Sequence, residues 1–202
     1  MNKDQKLLEE AYQSIYESVG EPAYFGPPDR KQEFLDWLSK LNHEVHQDGS
    51  VSVNGDVVFE KISLGERIPF NFREVSGGFN CNFCDLLSLE GSPKIVGGHF
   101  LCCGNKLTTL KGAPKTVKGT FNCQGNELTS PEGSPEYVGG YFMIYNNRIK
   151  SLKGAPLHVG ESYDCDAFSN DDYREYVRNI RLTQKLSDDF SKDHLSALED
   201  FS

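Results

Sequence analysis

The sequence predicts an α+β chain: a short-repeat solenoid with a parallel β-sheet along one face and helical caps at its N- and C-terminal ends. Three observations carry that expectation. Apolar, glycine and asparagine columns return in register every 21 residues, Phe-x-Cys pairs recur at strand period, and amphipathic stretches lie outside the repeated region. At 202 residues and 37% hydrophobic content, the chain is long enough for a sizeable core, with 13 Phe and 9 Tyr to fill it. Both unusual components, 19 Gly and 6 Cys, are periodic.

The register needs no gap from Arg73 onward. Val75, Val96, Val117, Val138 and Val159 form one column, and Gly77, Gly98, Gly119 and Gly140 the next. Phe79, Phe100, Phe121, Phe142 and Tyr163 follow, then Cys81, Cys102, Cys123, Ile144 and Cys165. Asn105, Asn126 and Asn147 precede Leu86, Leu107, Leu128 and Ile149 in the repeat, while Gly91, Gly112, Gly133 and Gly154 close it before Pro93, Pro114, Pro135 and Pro156. Phe and Cys, two apart, share one side of a short strand. Gly and Asn-x-Leu supply the turns, and coils stacked about 4.8 Å apart bury together what none buries alone. So short a repeat leaves no room for a full returning helix, so the return side is expected to be irregular or 3₁₀-like. Two columns alternate in charge, Asp85/Lys106/Glu127/Arg148 and Glu90/Lys111/Glu132/Lys153, and are expected to pair between neighbouring coils.

The organisation follows as residues 1–28, an amphipathic helix and linker; 29–72, a helical cap and irregular opening coil; 73–168, the solenoid; and 169–202, a C-terminal helical cap. Asp29 to Leu41 reads as a helix with Phe34, Leu35, Trp37 and Leu38 on one side. Asn170-Asp171-Asp172 reads as the start of a helix carrying Tyr173, Val177 and Ile180, with Ser191 opening a second short one. Leu7, Leu8, Ala11, Tyr12, Ile15, Tyr16 and Val19 recur at helical spacing ahead of the breaker-rich Gly20 to Pro28. That helix either docks on its own body or binds something else.

Phe100-x-Cys102-x-x-Asn105-x-Leu107, repeated at 121–128 and 142–149, resembles the leucine-rich-repeat signature. Its dialect resembles that of Gly/Cys-rich leucine-rich-repeat-like proteins encoded by large tailed bacteriophages, and Asp48-Gly49-Ser50-Val51 and Asn54-Gly55-Asp56-Val57 resemble their opening segment. The resemblance covers roughly residues 30–168, with Gly97, Lys118 and Gly139 where a first Leu is expected and Cys84 in place of the first ladder Asn. It implies binding of a protein partner in the cytoplasm of an infected bacterium, for example to inhibit a defence system. Residues 1–17 also resemble capsid-targeting helices, with Leu7-Leu8-Glu9 and Ile15-Tyr16-Glu17 like prohead-protease sites, so a virion protein is the alternative.

Composition and motifs narrow the chemistry. Net charge is −9, but residues 73–168 carry 9 basic and 9 acidic groups, so no clustered cation run marks nucleic-acid binding. No apolar window reaches the roughly 20 residues that span a bilayer, and no signal-like core opens the chain. Cys81-x-x-Cys84 and Cys102-Cys103 invite a zinc reading, yet thiols in an inward column do not converge on a tetrahedron and instead act as small hydrophobes. His43-x-x-His46 lacks a third ligand at motif spacing, and Asp164 with Asp166 lacks an accompanying nucleophile or base. The expectation is no catalytic site, metal or cofactor, and unpaired thiols that fit a reducing cytoplasm.

With Phe and Cys inward, the flanking residues line the outer sheet face. One row reads Gly78, His99, Thr120, Tyr141, Ser162; the next Asn80, Leu101, Asn122, Met143, Asp164; the last Asn82, Cys103, Gln124, Tyr145, Asp166. Tyr141, Met143 and Tyr145 share one strand, with Thr120, Asn122 and Gln124 beside them and His99, Leu101 and Cys103 beyond. Exposed Tyr and Met are enriched at interfaces, so these nine residues form the candidate partner-binding site. An end segment folding back over them, or homodimerisation there or at the open sheet edge, stays open.

Overall fold

The computed structural model describes residues 3–17, 30–59 and 61–199, and the linker at Gly20 to Pro28 lies outside them. Two helices come first, α1 (Lys3–Glu17) and α2 (Arg30–Leu38), followed by β1 (His43–Val45), β2 (Val51–Val53) and β3 (Val57–Val58). Each later coil contributes two short strands: β4 (Phe72–Val75) and β5 (Phe79–Asn80), β6 (Ile95–Val96) and β7 (Phe100–Leu101), β8 (Thr116–Val117) and β9 (Phe121–Asn122). The last coils add β10 (Tyr137–Val138) and β11 (Phe142–Met143), then β12 (His158–Val159) and β13 (Tyr163–Asp164), before α3 (Asn170–Glu199).

The molecule is a β-solenoid of about five coils. Its strands build two parallel sheets rather than the single one expected. Sheet A has the order β1-β2-β4-β6-β8-β10-β12, with only β1 antiparallel, and sheet B has β13-β11-β9-β7-β5-β3. Partners sit 21 residues apart throughout the repeats, as in Phe100 with Phe121 and Val96 with Val117. The valine column supplies the inward residue of sheet A. Because β6, β8 and β10 each contribute a single buried side chain, the sequence shows no alternation there to announce a strand. The return side is a series of bends and turns.

The core is built from stacked columns. Phe79, Phe100, Phe121, Phe142 and Tyr163 stack with ring centroids 5.3–5.4 Å apart. Cys81, Cys102, Cys123 and Ile144 are fully buried beside them. At the turn, the asparagine column links coil to coil: Asn105 Nδ2 donates to Cys81 O (2.9 Å) and Cys102 O (3.0 Å), while its Oδ1 accepts from Cys84 N and Leu86 N. Asn126 and Asn147 repeat the pattern one and two coils on. These bonds satisfy buried backbone groups that no regular structure serves. The alternating charges pair as Asp85–Lys106, Glu127–Arg148 and Glu132–Lys153, while Glu90 takes Arg67.

Helices meet both ends of this stack. Trp37 of α2 stacks on Phe59 at 4.3 Å and Leu38 is fully buried. Ser169 and Asp172 open α3 reciprocally, Ser169 N and Oγ donating to Asp172 Oδ2 and Asp172 N to Ser169 Oγ. Tyr173 then extends the aromatic column by stacking on Tyr163 at 4.6 Å. Contrary to the sequence expectation, α3 runs unbroken through Ser191. The stretch Val57 to Phe72 is less irregular than expected, since β3 pairs with β5 at the edge of sheet B.

The buried acids of this core set an alkaline limit. Burial pushes the Cys81 and Cys102 thiols well above their ordinary 9.0, and the Cys103 thiol and Tyr173 phenol up to about 12. A group whose folded pKa is raised contributes stability that is present below its unfolded pKa and lost as pH rises toward the folded value. Chemical denaturation is therefore expected to give constant stability from neutrality to about pH 8.5 and a steep loss between about pH 9 and 12, approaching 1.4 kcal/mol per pH unit for each group that ionises only in the unfolded chain.

Candidate partner-binding face

The outer surface of sheet B carries the candidate residues, and the structure divides their three rows by local geometry. The middle row, Leu101, Asn122 and Met143, lies on the strands, extended at its ends by Val58 and Asp164. The first row does not: His99, Thr120 and Tyr141 stand at the corner where each coil turns from sheet A into sheet B. Glycine precedes each of them there because a Cβ at Gly98 or Gly119 would lie 2.8 Å from neighbouring backbone or ring atoms. The third row sits in the turn just past the strands.

Several of these side chains are already committed within the protein. Asn80 and Asn122 accept from the backbone two residues on, at Asn82 N (3.0 Å) and Gln124 N (3.1 Å). His99 Nδ1 accepts from Thr120 N (3.0 Å), which leaves its Nε2–H as the outward donor. Cys103 is buried, its Sγ turned to the Asn122 carbonyl, so it supports the face from below and offers it no exposed contact. What remains for a partner is apolar and aromatic: Tyr141 is exposed, and Leu101, Met143 and Tyr145 are half-buried. Gln124 Oε1 is buried with no hydrogen-bond partner among the described residues.

The polar groups at the C-terminal end of the face are acidic. Asp164 accepts from Ser162 Oγ (2.7 Å) and Asp166 from Asn146 N. The Glu161 carboxylate beside Tyr141 holds its phenol above the ordinary value. None of the residues in the three rows is Lys or Arg.

Phe83 was missed in the rows. It follows Asn82 at the border of the face, is 54% exposed, and has a left-handed backbone (φ 55°), in the column where Gly104, Gly125 and Asn146 also have positive φ. A bulky side chain is costly in that conformation. Its ring lies over Gly104, where a Cβ would come within 2.3 Å. A Phe in a Gly/Gly/Asn column is the sequence signal that could have found it.

The other candidates resolve separately. His43 Nδ1 bonds to Leu41 O (3.0 Å) and His46 Nε2 to Ser52 Oγ (2.8 Å), so the two rings take different partners. Raised thiol pKa values are the opposite of what an activated cysteine needs. Among the described residues, no three His, Cys, Asp or Glu gather as a metal site, and no helix is long and apolar enough to cross a membrane.

The helix α1 does not cover the face. Leu8 is buried, the groove between α1 and α2 is lined by Leu8, Leu35 and His43, and a Cβ on Gly49 would strike the Ala11 methyl at 2.4 Å. It therefore docks at the N-terminal end of its own body. The side chains of Tyr12, Ile15 and Tyr16, and Val19, lie outside the described residues. No protein-family model, no curated protein and no solved structure matches the chain.

Proposed function

We propose that this protein is a non-catalytic protein-binding module that takes a cationic segment of its partner on the outer face of sheet B. The observation that carries the reading is the chemistry of that face: contiguous Tyr141, Met143 and Tyr145 next to Asp164, Asp166 and Glu161, with no Lys or Arg in the rows. Tyrosines beside carboxylates favour Lys or Arg by cation–π and charge-assisted contacts. In this reading the solenoid is leucine-rich-repeat-like in kind, and α2 and the start of α3 serve as its caps. The sequence resemblance supports a phage-encoded protein acting on a host protein in the infected cytoplasm. A virion role would require α1 to be released for targeting, against the burial of Leu8.

Replacing Tyr141, Met143 and Tyr145 together by Ala is expected to abolish capture of a lysate protein that wild type retains, with unchanged thermal melting. Tyr141 is exposed and Met143 and Tyr145 are half-buried outside the core, and roughly 1–4 kcal/mol of binding is carried by such anchors. Unaltered capture by the variant would contradict the assignment.

A further inference from the structure

The outer face of sheet A differs in character from that of sheet B. On sheet A, the outward row begins at the exposed Glu74 and continues through Ile95, Thr116, Tyr137 and His158, leaving Ile95 39% and Tyr137 41% exposed. Tyr137 stacks flat on His158, centroids 4.5 Å apart, so the row ends in a continuous aromatic step. Beside it stand Lys94, Lys115 and Lys118, all exposed. Lys115 pairs with Glu136, but the Lys94 and Lys118 ammonium groups have no partner among the described residues. Lys118 also occupies the corner column held in the other coils by Ser76, Gly97, Gly139 and Gly160. At those glycines a Cβ would meet the preceding coil's carbonyl oxygen at 2.0–2.1 Å, so the column favours small residues and Lys118 is its one long side chain.

The row runs into a groove of about 580 Å³ between β12 and α3, with Leu157, Val159 and Val177 among its lining. Arg174, Arg178 and Arg181 line the helix side, and Leu182 is 53% exposed at its rim. Arg181 is fixed by donating to Leu157 O (2.8 Å) and Arg174 by Asp171, whereas Arg178 has no partner among the described residues. In a chain of net charge −9, this track places the unpaired cations Lys94, Lys118 and Arg178 around exposed apolar side chains.

We propose that the outer face of sheet A and its groove with α3 dock an extended acidic segment of a partner protein that carries an apolar side chain. Carboxylates of the segment meet Lys94, Lys118 and Arg178, and its apolar residue seats in the groove beside Leu182. The apolar lining favours a peptide over a nucleic-acid backbone, which would need cations alone. The site is independent of the sheet B face, so the chain would hold a cationic and an acidic segment on two separate faces.

The test is fluorescence anisotropy with a labelled peptide in which Glu alternates with Ser around one central Leu. Wild type should bind it saturably and more weakly as salt rises. Lys94→Glu, Lys118→Glu and Arg178→Glu together should weaken binding by roughly tenfold or more, and Leu182→Ser by a few-fold. The corresponding Gln substitutions at the three cations, which introduce no repulsion, should weaken it less. The Tyr141/Met143/Tyr145 triple Ala variant should bind as wild type. Absence of saturable binding, equal binding by the charge-reversed protein, or stronger binding of an oligothymidylate that displaces the peptide would each overturn the proposal.

Discussion

Phe121→Ala is expected to destabilise the solenoid by about 3–5 kcal/mol, the range for emptying a fully buried aromatic site. Phe121 is completely buried and stacks on both Phe100 (5.3 Å) and Phe142 (5.4 Å), so its loss opens a gap that neither neighbour can close without leaving its own place in the column. The coils on either side are held by strand pairing that cannot shift to fill it. Urea unfolding reads the effect directly. A lower midpoint at unchanged slope means the coils still unfold as one unit, while a reduced slope means that the weakened coil has split the stack in two. Leu182→Ala, at a side chain 53% exposed, should change stability by no more than about 0.5 kcal/mol.

Gly112→Ala should cost roughly 3 kcal/mol or above, for two separate reasons. Its φ is 90°, outside the range that L side chains adopt readily, and an added Cβ would lie 2.8 Å from Glu90 N and the Leu89 carbonyl carbon. The whole column shares the constraint: Gly91, Gly133 and Gly154 have φ between 84° and 93°. Gly97 makes a useful contrast. Its added Cβ would come closer still, 2.0 Å from Ser76 O, yet its φ is not positive and Lys118 stands in the same column. That column tolerates a side chain after a shift between coils. Gly97→Ala is therefore expected to cost less than Gly112→Ala, and equal losses in thermal melting would contradict this account of the two columns.

The solenoid was legible because a fixed period records inward positions directly. Phe, Cys, Asn and Leu columns each do one structural task in every coil, so Phe121 or Asn126 can be placed from sequence alone. Sheet A was not legible as a sheet, since strands such as Ile95–Val96 offer one buried residue each and proline stands two positions before that first strand residue. Pairing one coil away, rather than local pattern, makes them strands. The outward rows were correct in order but not in exposure. Cys103 turns inward to a carbonyl, and His99, Thr120 and Tyr141 sit on a corner whose position depends on the second sheet. Self-docking of α1 was one of the two sequence readings, but its docking site was beyond the sequence: an apolar stripe identifies a buried face, while the Gly49 surface that receives Ala11 exists only after the hairpin of β1 and β2 has formed.

The opposed chemistry of the two sheets gives the binding account its sharpest consequence, because partner contact should be local to one face. A photoreactive residue at Asn122, in the middle row of sheet B, can be compared with one at Thr129 on the return side, well away from both proposed tracks. Irradiation in bacterial lysate followed by mass spectrometry of the adducts is the most direct measurement. The account predicts a single protein joined through position 122, cross-linked at or beside a Lys- or Arg-rich segment and absent when Asp164 and Asp166 are replaced by Lys. Adducts formed equally from position 129, or an adduct at 122 that survives the charge reversal, would contradict it.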